Sequence, residues 1–288
     1  MKLDKSKKIL IVGLGLLGGS YAQSLTRQGY YVTAITRKQS TIDYALEKGL
    51  ISKGSSFVDK ELIAEADIIV FALYPHVFAE WIRENAHYIT PKTVITDVTG
   101  VKQCIVYEIQ SLLPEGVEFI SAHPMAGKET AGIEYADESI FKNANYIIVP
   151  TEKNSLDTIE LCGDLGETLG FRHISVLSPE KHDQMIAFLS QLTHCIAVSL
   201  MCACDEPELE RYTGDSFRDL TRIANINDEM WSELFLSNRE MLLNEMDKYR
   251  TAFDKLYDTI KDGDREAMCE MMRLSTERRR KFNKNKKI

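Results

Sequence analysis

The chain has 288 residues, 44% of them hydrophobic and 27% charged, enough apolar content to bury a substantial core and to fill two domains. Its formal net charge of -8 excludes nucleic acid as the principal ligand, because holding a phosphate backbone takes a positive surface. Six cysteines (Cys104, Cys162, Cys195, Cys202, Cys204 and Cys269) include no CxxC pair and lie in apolar or helical stretches, so free thiols in a reducing cytoplasm are expected.

The amino terminus carries four lysines between Lys2 and Lys8 and enters a strand at once, without the apolar stretch of a signal peptide. No window approaches the roughly twenty apolar residues a membrane helix needs, so no membrane span is expected. From Lys8 to Ser178, β-branched runs alternate with helical periods, the pattern of a parallel sheet covered on both faces. The runs predict strands over residues 9–12, 31–36, 68–73, 93–97, 118–122, 146–149 and 173–176. Helices are predicted over 20–28, 41–48, 76–87, 103–113 and 155–169, with Gly29, Gly49 and Gly170 at the carboxyl caps.

After Ser178 the strand signal stops. Ser178 caps and Pro179 opens a long helix reaching Cys204, followed by helices over 216–225, 228–261 and 264–281. Met230, Leu234, Leu242, Met246, Tyr249, Phe253, Leu256 and Ile260 recur at helical spacing, as core packing with some residues in a dimer seam. The basic run from Arg278 to Lys287 suits a solvated helix end rather than a nucleic-acid arm. The expected division is a dinucleotide-binding domain over 1–177 and a helical substrate and dimerisation domain over 178–288.

Gly13-x-Gly15-x-x-Gly18 follows the first strand and leads into a helix, the context of a dinucleotide fingerprint. Gly13 permits the tight turn, Gly15 the approach of the pyrophosphate, and Gly18 the close packing of helix on strand, with Leu16 and Leu17 between them. The fold expected is therefore α/β, a Rossmann-like doubly wound parallel sheet followed by an all-helical carboxyl-terminal domain. At the end of the second strand, where an acidic residue commonly holds the ribose of NAD, stand Thr36, Arg37 and Lys38. Two cations and a hydroxyl favour the 2′-phosphate of NADP, with NAD left open.

Polar residues at the carboxyl ends of parallel strands are where chemistry gathers, and here they are Asp97, Thr99, Lys102 and the segment His123-Pro124-Met125-Ala126-Gly127-Lys128-Glu129. With Ser190-Gln191-Leu192-Thr193-His194, Phe217-Arg218-Asp219-Leu220-Thr221-Arg222-Ile223-Ala224 and Trp231, these segments make the chain resemble prephenate dehydrogenase, nearly end to end and in the same order. The resemblance implies oxidative decarboxylation of prephenate to 4-hydroxyphenylpyruvate, with hydride transfer to NAD(P), in tyrosine biosynthesis. It makes His123 the general base for the 4-hydroxyl, suited by an unperturbed pKa of about 6.5, and Arg222 the clamp on a substrate carboxylate, oriented by Asp219. His194 would be a catalytic-site residue contacting the substrate or the nicotinamide edge, and Glu129 would polarise the His123 neighbourhood or contact the substrate side chain. Trp231 would lie beside substrate, across a dimer interface, and His182 would serve a helix start.

The family often has serine immediately before the Val-Lys pair. This chain has Gly100, so Thr99 is left to supply the hydroxyl bridging histidine and substrate. No metal is required. The partners implied are a small-molecule substrate and a second copy of the chain, in the cytoplasm. Arogenate dehydrogenase is the alternative enzyme; a 3-hydroxyacid or pyrroline-carboxylate dehydrogenase would centre on a helical-domain lysine motif not found here. A non-catalytic nicotinamide-binding regulatory protein is the alternative from another class.

Overall fold

The computed structural model describes residues 2–128 and 130–282. Six parallel strands form the main sheet: Lys8–Val12 (β1), Tyr31–Ile35 (β2), Lys53–Ser55 (β3), Ile68–Phe71 (β4), Val94–Asp97 (β5) and Glu118–Phe119 (β6), in the order β3-β2-β1-β4-β5-β6. The order reverses between β1 and β4, which opens a crevice at their carboxyl ends. Helices Leu16–Arg27 (α1), Gln39–Glu47 (α2), Lys60–Glu65 (α3), Pro75–Asn85 (α4) and Gln103–Leu112 (α5) make the crossovers.

The strands read as continuous apolar runs because both faces are covered. Ile9 and Ile11 of β1 join the core beneath α1 and α2, while Leu10 and Val12 join the core beneath α4 and α5. Each of these four side chains is at most 3% exposed. Complete burial of one such side chain is worth about 1.5–3 kcal/mol, so this strand alone anchors both layers. β3 and α3, of three and six residues, carry too few apolar positions to show a period in the sequence. Asp59 caps α3 through Glu61 and Leu62.

The predicted strand over 118–122 divides. Ile120 still donates to Ile95, but at Ser121 the chain leaves β5, because the Asp97 side chain takes the place of a backbone partner. Ser121–Pro124 (β7) then pairs antiparallel with Asn145–Val149 (β8), and β8 pairs parallel with His173–Val176 (β9), as a separate three-stranded sheet. Leu156–Leu169 (α6) joins β8 to β9 and ends at Gly170, whose φ of +88° is a left-handed cap.

Pro179–Ile186 (α7), a π turn over Ala187–Gln191 and Leu192–Cys202 (α8) run as one helix capped by Ser178. Contrary to the sequence expectation, this 24-residue helix is long and apolar enough to cross a membrane by length and composition, with a mean hydropathy of 1.7 over its best window. It is apolar on more than one side. Ile186, Ala187, Leu192 and Ala197 are buried in the chain's own core, while Phe188, Leu189 and Met201 are exposed. Buried His182, Asp183 and Gln191 punctuate it.

Asp215–Thr221 (α9) and a 3-10 turn over Arg222–Ala224 precede Asp228–Ser237 (α10) and Arg239–Lys261 (α11). The single predicted helix over 228–261 is thus broken at Asn238, whose side chain donates to the Asp183 carbonyl and to Gln191 instead. By compactness the chain forms two units, residues 1–239 and 240–288. Helices between 179 and 237 are fastened to the nucleotide-binding half by side chains such as Asp183 and Glu233. In the second unit, Gly263 turns the chain after α11 and Asp264 caps Arg265–Arg280 (α12).

A Cβ on Gly18 would run into the Gly13 carbonyl oxygen and stand 3.0 Å from the Ala72 methyl. Gly18→Ala should therefore destabilise by about 1–3 kcal/mol, the usual cost of overpacking. Chemical unfolding measures this, and an unchanged midpoint would contradict the close helix-strand contact.

Candidate functional site

The glycine loop occupies the β1–β4 crevice. Gly13, at φ +98°, donates to the Ile35 carbonyl, and a Cβ there would meet the Ala72 carbonyl. At Gly15 a Cβ would meet nothing within 4 Å. Gly15 is also the N-cap of α1, with no side-chain cap and no acidic residue in the first turn, so Leu16, Leu17 and Gly18 present uncapped helix amides toward open space. That cradle fits a dinucleotide pyrophosphate, which the amides and helix dipole would hold. Thr36 follows β2 half-buried, and Arg37 and Lys38 are exposed beside it at the start of α2.

At the end of β5, Asp97 and Lys102 form an ion pair of 2.9 Å, both fully buried. Each reaches the same residue of β7: Asp97 Oδ1 accepts from the Ala122 amide at 3.1 Å, and Lys102 Nζ donates to the Ala122 carbonyl at 2.6 Å. Asp97 also accepts from Ser121 Oγ at 2.5 Å. Burial pushes the Lys102 ammonium below the usual lysine range, and the Asp97 carboxylate pulls it back. Thr99 does not take the part expected of it. Only 4% exposed, its hydroxyl is engaged with Asp97, the Val101 carbonyl and Lys102, so it braces the strand end.

His123 follows this brace directly. Its Nδ1 lies 2.9 Å from Nε2 of His182, whose own Nδ1 lies 2.7 Å from Asp183 Oδ1. Asp183, fully buried, also accepts from the Lys102 and Gln103 amides at 2.9 Å each and so caps α5 from another helix. The carboxylate can only accept, which places a proton on His182 Nδ1 and, in the neutral ring, a lone pair on Nε2. His123 must then donate from Nδ1, leaving its Nε2 as an acceptor. A Cβ on Gly100 would stand 4.0 Å from that Nε2 and 3.5 Å from both Leu234 methyls, so the acceptor opens onto the wall between Gly100 and Leu234.

Burial holds the His123 pKa well below the ordinary imidazole value, with the His182 and Lys102 charges adding to the shift. This corrects the expectation of a near-unperturbed value. His182 is lowered as well, by burial, although its hydrogen bond to Asp183 opposes the shift.

The helical side of the site is built on α8 and α10. His194 Nδ1 lies 2.9 Å from the Ser190 carbonyl, and its ring stacks on Trp231 at 3.7 Å within the same chain. Gln191 donates to the Leu234 carbonyl at 2.8 Å. Arg222 and Asp219 are exposed, on the turn and helix that pack against α8. Glu129 lies outside the described residues. His182 and Asp183 exceed the helix-start role read from sequence. An adjacent histidine and aspartate in the first turn after Pro179 was the available signal, but neither partner, His123 nor the α5 amides, is near in sequence.

A family model for the prephenate dehydrogenase nucleotide-binding domain matches residues 21–175, and one for the prephenate dehydrogenase dimerization domain matches residues 178–274. The chain is 31% identical to the prephenate dehydrogenase of Bacillus subtilis, over 90% of this chain and 71% of that protein. The crystal structure of prephenate dehydrogenase from A. aeolicus, in complex with hydroxyphenyl propionate and NAD+, is similar with a TM-score of 0.88 at 26% identity, covering 96% of this chain and 98% of that one. Synechocystis arogenate dehydrogenase is similar with a TM-score of 0.83 at 29% identity, covering 96% and 99%.

Because the folded imidazoles bind protons less readily than unfolded ones, their contribution to stability is present above pH about 6.5 and declines as the pH falls below it. Ring-labelled NMR should find His123 neutral at pH 6.5, with its midpoint lower, and chemical unfolding should show falling stability on acidification. A His123 midpoint at or above 6.5 would overturn the buried, doubly tied geometry.

Proposed function

The chain belongs to the prephenate dehydrogenase family, and from that premise we propose that it oxidises prephenate to 4-hydroxyphenylpyruvate with loss of carbon dioxide. The observation that carries this reading is the lone pair left on His123 Nε2 by the chain of hydrogen bonds from Asp183 through His182. When bound, a nicotinamide ring accepts the hydride that leaves C4 of the substrate. His123 Nε2 accepts the 4-hydroxyl proton as positive character develops at that carbon. The bond to the ring carboxylate breaks, its electron pair completes the aromatic ring, and the phenolate oxygen takes the proton back from His123 Nε2, leaving the imidazole neutral. A neutral His123 at working pH is what this step requires, and the lowered pKa supplies it.

Arg222 clamps the ring carboxylate with its planar fork, and Asp219 orients it. His194 and Trp231 bound the pocket as one stacked pair. Thr99 takes no part, since its hydroxyl is committed to the Asp97 brace. Gly15, with open space where a Cβ would project, admits the dinucleotide, and Arg37 and Lys38 favour the 2′-phosphate of NADP over NAD. Arogenate, with an ammonium in place of the keto group, is the second reading, favoured by the likeness to the Synechocystis enzyme.

The working form is a cytoplasmic homodimer. Phe188, Leu189 and Met201 on the long helix are exposed in the single chain, as are Tyr249, Phe253 and Ile260 on α11. Apolar side chains on both elements suit contact with a second copy. The dimerization-domain match over residues 178–274 supports this assignment.

Absorbance at the reduced-nicotinamide band, with prephenate and arogenate each offered with NAD+ and NADP+, tests the reading directly. Activity with prephenate is expected, and no turnover of either substrate would sink it. His123→Asn should lower kcat roughly a hundredfold or more at nearly unchanged KM, whereas Arg222→Gln should raise KM chiefly. Wild-type turnover in the first variant, or an unchanged KM in the second, removes that residue from its role. Arg37→Ala should weaken NADP+ more than NAD+, and equal losses would count against the preference.

A further inference from the structure

Glu233 stands on α10, two residues beyond Trp231 and one before Leu234. Its carboxylate accepts twice from a single residue 157 positions away, from the His76 amide at 2.9 Å and from His76 Nδ1 at 2.8 Å. The Glu233 side chain is only 20% exposed. His76 is the second residue of α4, which starts after β4 on one side of the β1–β4 crevice. The first turn of α4 has no acidic residue, and its N-cap, Tyr74, makes no side-chain cap. A carboxylate from α10 therefore serves this helix end across the cleft.

No residue of α10 is fully buried, and Met230, Trp231, Leu234 and Phe235 are half-buried, so polar fastenings supplement its apolar packing. At its carboxyl end Gln191 donates to the Leu234 carbonyl, and Asn238 donates to Gln191 and to the Asp183 carbonyl. Toward the nucleotide-binding half, Glu233 supplies the fastening through His76. Between these points α10 carries Trp231, stacked on His194, and Leu234, whose methyls lie against Gly100.

We propose that Glu233 and His76 are a positioning pair that seats α10 across the cleft, setting the height of Trp231 and Leu234 over the substrate. Neither residue touches the reacting atoms. Loosening the pair lets α10 pivot on its Gln191 and Asn238 end, which widens the pocket and weakens substrate binding more than it slows chemistry. This inference rests on the dehydrogenase reading above, and the wild-type assay tests that reading separately.

The test is a double-mutant cycle in the full chain, Glu233→Ala, His76→Ala and both together, read as kcat and KM for prephenate. Each single variant should raise KM about tenfold, with kcat within about threefold of wild type. The double variant should be no worse than either single one, since both remove one interaction. Glu233→Gln, which can still accept from the amide, should recover most of the affinity. A readout independent of turnover is acrylamide quenching of Trp231 fluorescence in a Trp81→Phe background, which should increase in Glu233→Ala and stay at the reference level in Glu233→Gln. Unchanged KM in both single variants, additive losses in the double variant, or unaltered quenching would each overturn the pair.

Discussion

A buried carboxylate must find donors, and Asp183 finds three from two directions: the Lys102 and Gln103 amides of α5 and the His182 ring. Removing one partner from a buried charge of this kind costs about 3–5 kcal/mol, so the three are held together strongly. This requirement fastens the long helix to the nucleotide-binding half. It also decides protonation. With the carboxylate confined to accepting, both nitrogens of His182 and one of His123 are committed, and the lone pair emerges on His123 Nε2, where a substrate hydroxyl would need it.

Asp97 and Lys102 meet the same kind of demand at the other end of the histidine. Their ion pair is fully buried, an arrangement that pairs of this type rarely repay in stability alone. What it accomplishes is geometric. Both backbone groups of Ala122 are gripped just as the chain passes from the parallel sheet into the smaller one, so His123 emerges at a set height. The His123 imidazole is framed by two buried carboxylates, Asp97 beneath the backbone of the preceding residue and Asp183 behind His182.

The roof of the site is made differently from its floor. Strands β1, β4 and β5 are immobilised by apolar burial on two faces, whereas α10 has only half-buried apolar side chains, supplemented by side-chain hydrogen bonds from Glu233, Gln191 and Asn238. A floor of packed strands keeps the β1–β4 crevice in shape, and a roof held in part by polar contacts has more freedom to adjust.

The parallel strands, the glycine loop and the helix caps were legible from residue order alone, because each depends on neighbours within a few positions. Gly13 needs positive φ, Gly18 needs contact without a side chain, and Ser178 with Pro179 starts a helix whatever lies around it. Sequence therefore determined the nucleotide-binding architecture, the helical second half and the family. Tertiary structure decided what depends on partners far along the chain. The strand leaving the sheet at Ser121 answers to Asp97, the break at Asn238 answers to Asp183 and Gln191, and the Thr99 hydroxyl is drawn into the Asp97 brace rather than toward His123. The lowered pKa of His123 is likewise a property of burial beside His182 and Lys102. A side chain's chemical type is written in the sequence, but its desolvation and its hydrogen-bond partners exist only once distant segments have met.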